Sequence, residues 1–293
     1  MHQHATKIGT FALVIWSFGP LFNNLVSAVP IFEILSFSFG IGFICGCVYL
    51  TVTKNWHKLT QPLVYGVMGF AGIFGNELLF VSAFKFAPAA HITLINYLWP
   101  ILVLTLTGLI RQDRLSLRYM IAAILGFLSV AFYIVNQIET VISGKYWIGY
   151  ALVLLGTCCW SMYILANRKQ EHMPSEMITI YCGLGFIISL TVHCQTETFY
   201  LPTLNEAFAL CWLGFMGLGL AFNFWDFGIK WGNPRLLSIL SYNTVLLSTL
   251  ILIGFNQTQF DMSLVVAAVG VTLASLVSLA EYPSSSTAAR LLP

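Results

Sequence analysis

Charge is what this chain has least of. Of its 293 residues only 8% are Asp, Glu, Lys or Arg, where an ordinary soluble domain carries roughly a quarter. So few charges cannot clothe a water-facing surface, and the chain reads as a membrane protein. Other absences narrow its function. There is no HExxH, no GxSxG and no P-loop, so membrane proteolysis, serine hydrolysis and ATP-driven pumping lack their usual equipment, and an enzyme is not expected. The seven cysteines include Cys45, Cys47, Cys158 and Cys159 but no CxxC spacing, and they read as reduced packing residues. No metal, no cofactor and no nucleic-acid partner is expected.

What is present is apolar sequence in runs long enough to cross a hydrocarbon core, which takes about 20 helical residues. Ten runs can be drawn, near 7–28, 31–53, 63–86, 89–110, 117–136, 147–167, 176–195, 207–229, 234–255 and 262–280. A closed β-barrel would need alternating segments of ~10 residues, which these are not. Connections such as Val29-Pro30 and Ala87-Pro88 leave no room for extramembrane domains. Function must lie among the helices.

Orientation follows from the positive charges, which stay on the cytoplasmic side in short loops. With the N-terminus inside, Lys7, Lys54, Lys58, Arg111, Arg114, Arg118, Arg168, Lys169, Lys230, Arg235 and Arg290 all fall in the cytoplasm, and only Lys85 and Lys145 fall outside. Both termini are therefore expected to be cytoplasmic. The first run contains Pro20 and Asn23-Asn24 and lacks a clear cleavage pattern, so it is retained as the first span. Residues 283–293, with Ser284-Ser285-Ser286, read as a flexible cytoplasmic tail.

The two halves of the chain resemble each other. Trp16-Ser17 and Pro30 recur 144 residues later as Trp160-Ser161 and Pro174. A shift of 145 then relates Gly69-Phe70-x-Gly72 to Gly214-Phe215-x-Gly217, Lys85 to Lys230, and Tyr97 to Tyr242. Five spans per half is an odd number, so the second half must enter the membrane inverted. The domains expected are a first five-helix repeat over 1–140 and an inverted second over 141–282. Inverted repeats are a recurrent design of secondary transporters, whose site lies near the midplane between them.

Four features share a pattern: Ile95-Asn96-Tyr97-Leu98-Trp99-Pro100, the Glu77 about twenty residues earlier, Trp160-Ser161-Met162-Tyr163, and Phe224-Trp225-x-x-Gly228-Ile229-x-x-Gly232-Asn233. In these the chain resembles the drug/metabolite transporter superfamily of EamA-like proteins, and within it the YddG-type aromatic amino-acid exporters. The similarity runs over essentially the whole chain, and Asn-Tyr-Leu-Trp-Pro is its most specific part. The resemblance implies a ten-helix, two-repeat fold in the bacterial inner membrane that exports amino acids or related metabolites through a central cavity. Asn23-Asn24 and Asp226 stand outside the pattern.

The residues themselves suggest where a substrate is held. Glu77 lies deep in the third run, where a charge costs ~2.5–3.5 kcal/mol and normally faces a cavity or a partner. Three roles are open to it: binding an ammonium, taking up a proton during the cycle, or capping a polar cluster with Asn96. Pro20 and Pro100 free the carbonyls of Trp16 and Asn96 at membrane depth, which makes both prolines candidates for helix breaks or gates. Trp16, Tyr97, Trp99, Trp160, Tyr163 and Tyr242 recur at mid-depth, where a ring bearing an N–H or O–H tends to face a polar space, although simple packing explains a single ring equally well. The substrate site expected is thus Trp16, Glu77, Asn96, Tyr97, Trp99, Trp160, Tyr163 and Tyr242.

Glu33 and Asp226 fall near helix ends, where water or headgroups would solvate them. His91 and His193 read as satisfied structural residues, and the glycines at 69, 72, 75, 214 and 217 as packing positions. No Lys or Arg falls in the middle third of a span, which disfavours phosphate-bearing cargo. Three functions remain: export of aromatic or large apolar amino acids, export of lipophilic cations held by Glu77 among aromatic rings, or a non-transporting receptor or assembly role. The partners expected are a small-molecule substrate and membrane lipid, with the protein a monomer or homodimer.

Overall fold

Apolar runs in a membrane become helices because only a helix satisfies its own backbone there. A computed structural model describes residues 2–83, 85–87, 89–111, 117–136, 144–169, 173–257 and 259–279. Arg114, Arg290 and the tail expected over 283–293 lie outside the described residues.

The α-helices in chain order are α1 (His2–Ser17), α2 (Gly19–Leu25), α3 (Ile31–Thr53), α4 (Leu63–Ala83), α5 (Ala89–Asn96), α6 (Trp99–Arg111), α7 (Leu117–Asn136), α8 (Trp147–Lys169), α9 (Met177–Thr196), α10 (Leu204–Trp212), α11 (Phe222–Trp231), α12 (Pro234–Leu240), α13 (Tyr242–Gly254) and α14 (Met262–Leu279). A π-helical segment, Leu213–Ala221, joins α10 to α11 without a break. Among the described residues there is no strand.

Eight helical stretches of 18 residues or more are apolar enough to span a bilayer, and Met262–Ser278 is a shorter one. The expected run at 89–110 is two helices, α5 and α6, separated at Tyr97-Leu98. The sequence explains the interruptions. Pro20 and Pro100 both fall in the first turn of the second piece, where a missing N–H is tolerated but the helix before it cannot be continued. The α12–α13 break at Ser241 has no proline. There the Ser241 hydroxyl donates to the Ser238 carbonyl at 2.6 Å and Asn243 Nδ2 donates to the Leu240 carbonyl at 3.1 Å, side-chain bonds of the kind that compete with helical ones.

Four pairings hold the bundle: α4 with α8, α3 with α9, α7 with α14, and α1 with α11. The last depends on glycine. A Cβ on Gly228 would stand 2.6 Å from the Cα of Gly9, and one on Gly9 would stand 2.9 Å from a Leu237 methyl carbon. Backbone meets backbone there, so neither side can give way. Gly69, Gly72 and Gly214 occupy similar contacts, against Tyr181, Tyr163 and Ile41. The packing role expected of Gly75 and Gly217 does not apply: a Cβ on either would meet nothing within 4 Å.

Gly228→Val is expected to cost ~2–4 kcal/mol by overpacking the α1–α11 contact, whereas Gly254→Ala, with open space around it, should be neutral. The thermal midpoint of each purified variant in detergent, followed by size-exclusion chromatography, checks this. A Gly228→Val protein as stable as wild type would refute the close approach.

Candidate functional site

The interrupted spans meet around one cavity. The end of α1 and the start of α2 bring Trp16, Pro20 and Asn23. The α5–α6 break brings Asn96, Tyr97 and Trp99, and the α12–α13 break brings Ser241 and Thr244. Together with α3, α4, α8 and the π-helical segment they enclose about 370 Å³. From α3 the wall takes only Ile34, Leu35, Ser38 and Phe39, near its start, and from α4 only Asn76, Glu77, Phe80 and Val81, near its end. The cavity therefore occupies one half of the bundle's height. Pro20 and Asn23 are exposed at its rim, so it reaches solvent at the α2 end.

Six of the eight residues expected at a substrate site line this space: Trp16, Glu77, Asn96, Tyr97, Trp99 and Trp160, with Pro20 beside them. Tyr163, Tyr242 and Pro100 do not. Tyr163 turns its hydroxyl away, to Asp226 at 3.2 Å. Tyr242 is fully buried behind Tyr97, with ring centroids 6.4 Å apart, and its hydroxyl has no partner among the described residues. Pro100 acts one residue removed, by ending α5 and letting Trp99 begin α6.

The cavity floor is aromatic. Trp16 meets Trp160 at 6.0 Å and Phe222 at 5.3 Å, both edge-on, and Trp160 stacks on Trp225 at 6.1 Å and 20°. Trp99 closes the set edge-on against Trp225 at 5.7 Å. Edge-to-face and offset geometries of this kind are the favourable ones for aromatic pairs. Trp225 was not among the expected site residues. Its spacing of three from Phe222 on α11 is a signal that could have placed it on the same face. The π turn also has a local consequence, because the Trp16 indole N–H donates to the Gly217 carbonyl at 3.4 Å.

Electrostatically the cavity is one-sided. Glu77 is half-buried against it and has no hydrogen-bond or ion-pair partner among the described residues, and no Lys, Arg or His lines the wall. Asn96 is fixed differently, with its Oδ1 3.4 Å from the Thr157 hydroxyl that donates to it. It does not bond Glu77. Asn23, Ser38, Asn76 and Thr244 add polar atoms that the sequence reading did not assign to the site.

Below the floor lies a second polar group, and here two expectations are corrected. Asp226 is not solvated at a helix end: it is 1% exposed, and Lys230 beside it is 6% exposed. The Lys230 Nζ lies 2.5 Å from the Asp226 carboxylate and donates to the Met173 carbonyl at 2.8 Å. The carboxylate also accepts from Asn167 Nδ2 at 2.6 Å, from Tyr163 and from the Ser175 hydroxyl. Glu33, likewise expected near solvent, is 1% exposed. It accepts from the Tyr200 N–H at 3.0 Å and lies 3.7 Å from His193, which meets Glu197 at 3.0 Å. His193 therefore does have carboxylate neighbours, whereas His91 is satisfied by the Tyr150 hydroxyl at 2.9 Å.

A helical membrane bundle with broken helices around an internal cavity is an arrangement found in membrane carriers. The EamA-like transporter family model matches this chain twice, over residues 8–135 and 147–280, and the chain belongs to that family. It is a multi-pass inner-membrane protein. It is similar to the aromatic amino acid exporter YddG of Ancylobacter novellus, 30% identical over 94% of this chain and 98% of that protein. The exporter of the same name from Salmonella typhimurium is 22% identical, covering 94% and 96%. The uncharacterized transporter YyaM of Bacillus subtilis is 25% identical, covering 82% and 81%. A solved crystal structure 29% identical in sequence superimposes with a TM-score of 0.90, over 95% of this chain and 98% of that one.

Removing one partner of a buried ion pair leaves an uncompensated charge and costs ~3–5 kcal/mol, whereas replacing both with apolar groups is close to neutral. Asp226→Ala should therefore lose most of its monodisperse yield, and Asp226→Val/Lys230→Met should recover it. Equal yields for the single and double variants would contradict the pairing.

Proposed function

We propose that this chain is a secondary transporter that exports amino acids, aromatic or large apolar ones, by alternating access through the central cavity. It is read as ten spans in two inverted five-helix repeats, 1–140 and 141–282, with both termini cytoplasmic. The duplicated family match supports this reading. So do the helix pairings. With α1–α2 as span 1 and α14 as span 10, contacts join span 3 to 6, span 1 to 8, span 2 to 7 and span 5 to 10. Exchanging the two halves maps this set onto itself. The breaks at Tyr97-Leu98 and Ser241 occupy corresponding places in spans 4 and 9.

The observation that carries the function is the cavity itself, whose ≈ 370 Å³ falls within the range of small-molecule sites, with Trp16, Trp99 and Trp160 at one end and an unpaired Glu77 in its wall. An aromatic side chain rests on the tryptophans, and the ammonium reaches Glu77. The carboxylate finds no cation among the described residues, so it relies on Asn96, indole N–H groups and the hydroxyls of Ser38, Ser241 and Thr244. The relatives named aromatic amino acid exporters point the same way. A second reading, export of lipophilic cations, is favoured by the same lone carboxylate beside aromatic faces.

The test is counterflow of labelled phenylalanine in proteoliposomes. Wild type should exchange it, unlabelled Trp and Tyr should compete, and Glu77→Gln should slow exchange about tenfold or more, as loss of a charge-assisted hydrogen bond implies. Folded protein that exchanges labelled tetraphenylphosphonium but no phenylalanine would replace the amino-acid reading with the cationic one.

A further inference from the structure

The buried group around Asp226 has a counterpart at the opposite end of the molecule, and the repeat identifies it. A shift of 144 carries Asn167 back to Asn23 and Met173 to Val29, and a shift of 145 carries Lys230 back to Lys85 and Asp226 to Val81. The two sets lie at opposite ends of α3. The Lys85 ammonium is 5.7 Å from the Phe32 ring at its start, whereas Lys58, just beyond its end, pairs at 2.6 Å with Glu176, next to Ser175. With 23 residues, α3 separates them by roughly 35 Å at 1.5 Å per residue.

The two ends are in opposite states. At one, Asn167 and Asp226 are 2.6 Å apart and Lys230 is buried on the Met173 carbonyl, so α8, the 173–175 connection and α11 are drawn together. At the other, Asn23 and Val81 both line the open cavity and Lys85 is exposed. Resting on the alternating-access reading above, we propose that Lys85 and Lys230 are reciprocal gate residues. When the cavity closes at the α2 end, Lys85 moves onto the Val29 carbonyl beside Asn23 as Lys230 now sits on Met173, while the Asp226 group opens. The gates are unequal, because Val81 stands where Asp226 would be. The Lys85 gate closes without a carboxylate, and the protein rests open at the α2 end.

The inequality can be reversed by substitution. Pulsed electron paramagnetic resonance between spin labels on Leu25→Cys and Phe86→Cys, with the seven native cysteines replaced, reads the gap between α2 and the turn that follows α4. Wild type should give mostly the long distance. Val81→Asp supplies the absent carboxylate and should raise the short-distance population about tenfold, and adding Lys85→Met should return it to the wild-type level. Asp226→Val/Lys230→Met, which weakens the other gate, should raise the same population.

The proposal is overturned if Val81→Asp leaves the distances unchanged, if its effect survives Lys85→Met, or if Asp226→Val/Lys230→Met stays wholly open. Phenylalanine counterflow in the same preparations separates the two readings. Transport with unresponsive distances defeats the gate alone, and responsive distances without transport of any cargo defeat the transport function alone.

Discussion

The Asp226–Lys230 pair sets the terms on which the lower half of this bundle packs. A charge in a low-dielectric interior is held only if an opposite charge and further hydrogen bonds meet it. Lys230 is one helical turn from Asp226, so the pair forms within α11, but it leaves the carboxylate with lone pairs and the ammonium with protons to spare. Those are met from outside the helix, by Tyr163 and Asn167 on α8 and by Ser175 and the Met173 carbonyl in the connection to α9. The end of α8, the connection that follows it and the distant α11 are thereby fixed to one point. The tryptophans rest directly above it, since Trp160 is one turn from Tyr163 and Trp225 is adjacent to Asp226.

Glu77 is the same chemistry treated the opposite way. Its carboxylate has no protein partner among the described residues, and it lies in the wall of a space that reaches solvent. A packed interior would not tolerate that arrangement, and a water-filled cavity does. In this conformation one acid is thus held by the protein's own groups and the other is left available. Among the described residues no cation lines the cavity, so an arriving positive group meets no competitor for it there.

Much of this was legible in the sequence, and the limits of legibility have physical reasons. The long apolar runs, the duplicated spacing and the Asn-Tyr-Leu-Trp-Pro segment led to helices, repeats and a family, because those signals are local or periodic. Glu77, Trp16, Asn96, Tyr97, Trp99 and Trp160 were found because a polar or aromatic group at mid-depth is costly and stands out. Asp226 was misplaced because its depth depends on what packs over it. A residue near the end of an apolar run looks solvated until α8 and residues 173–175 are known to cover it. Tyr163 and Tyr242 shared the right depth with the cavity residues, but depth does not specify azimuth, and both point elsewhere. The helix over 213–221 carries no sequence mark that separates a π turn from an α turn.

That π segment bears on how alike the two halves are. Residues 68–76, its repeat counterpart, continue as regular α-helix in α4. The 145-residue relation holds from Gly69 and Gly214, at the start of the segment, to Lys85 and Lys230 beyond it, so no residue has been inserted between those points. The same count of residues is wound with a wider turn, which rotates each residue less and turns the face of α11 relative to α10 away from where a regular helix would put it. Trp225 and Asp226 point toward α8 from that displaced face, and the Gly217 carbonyl becomes the acceptor for Trp16. Two units descended from one pattern therefore pack their equivalent helices differently at the point where the cavity ends. The difference in winding and the difference between Asp226 and Val81 both separate α10–α11 from α4, its repeat counterpart, at the floor of the cavity.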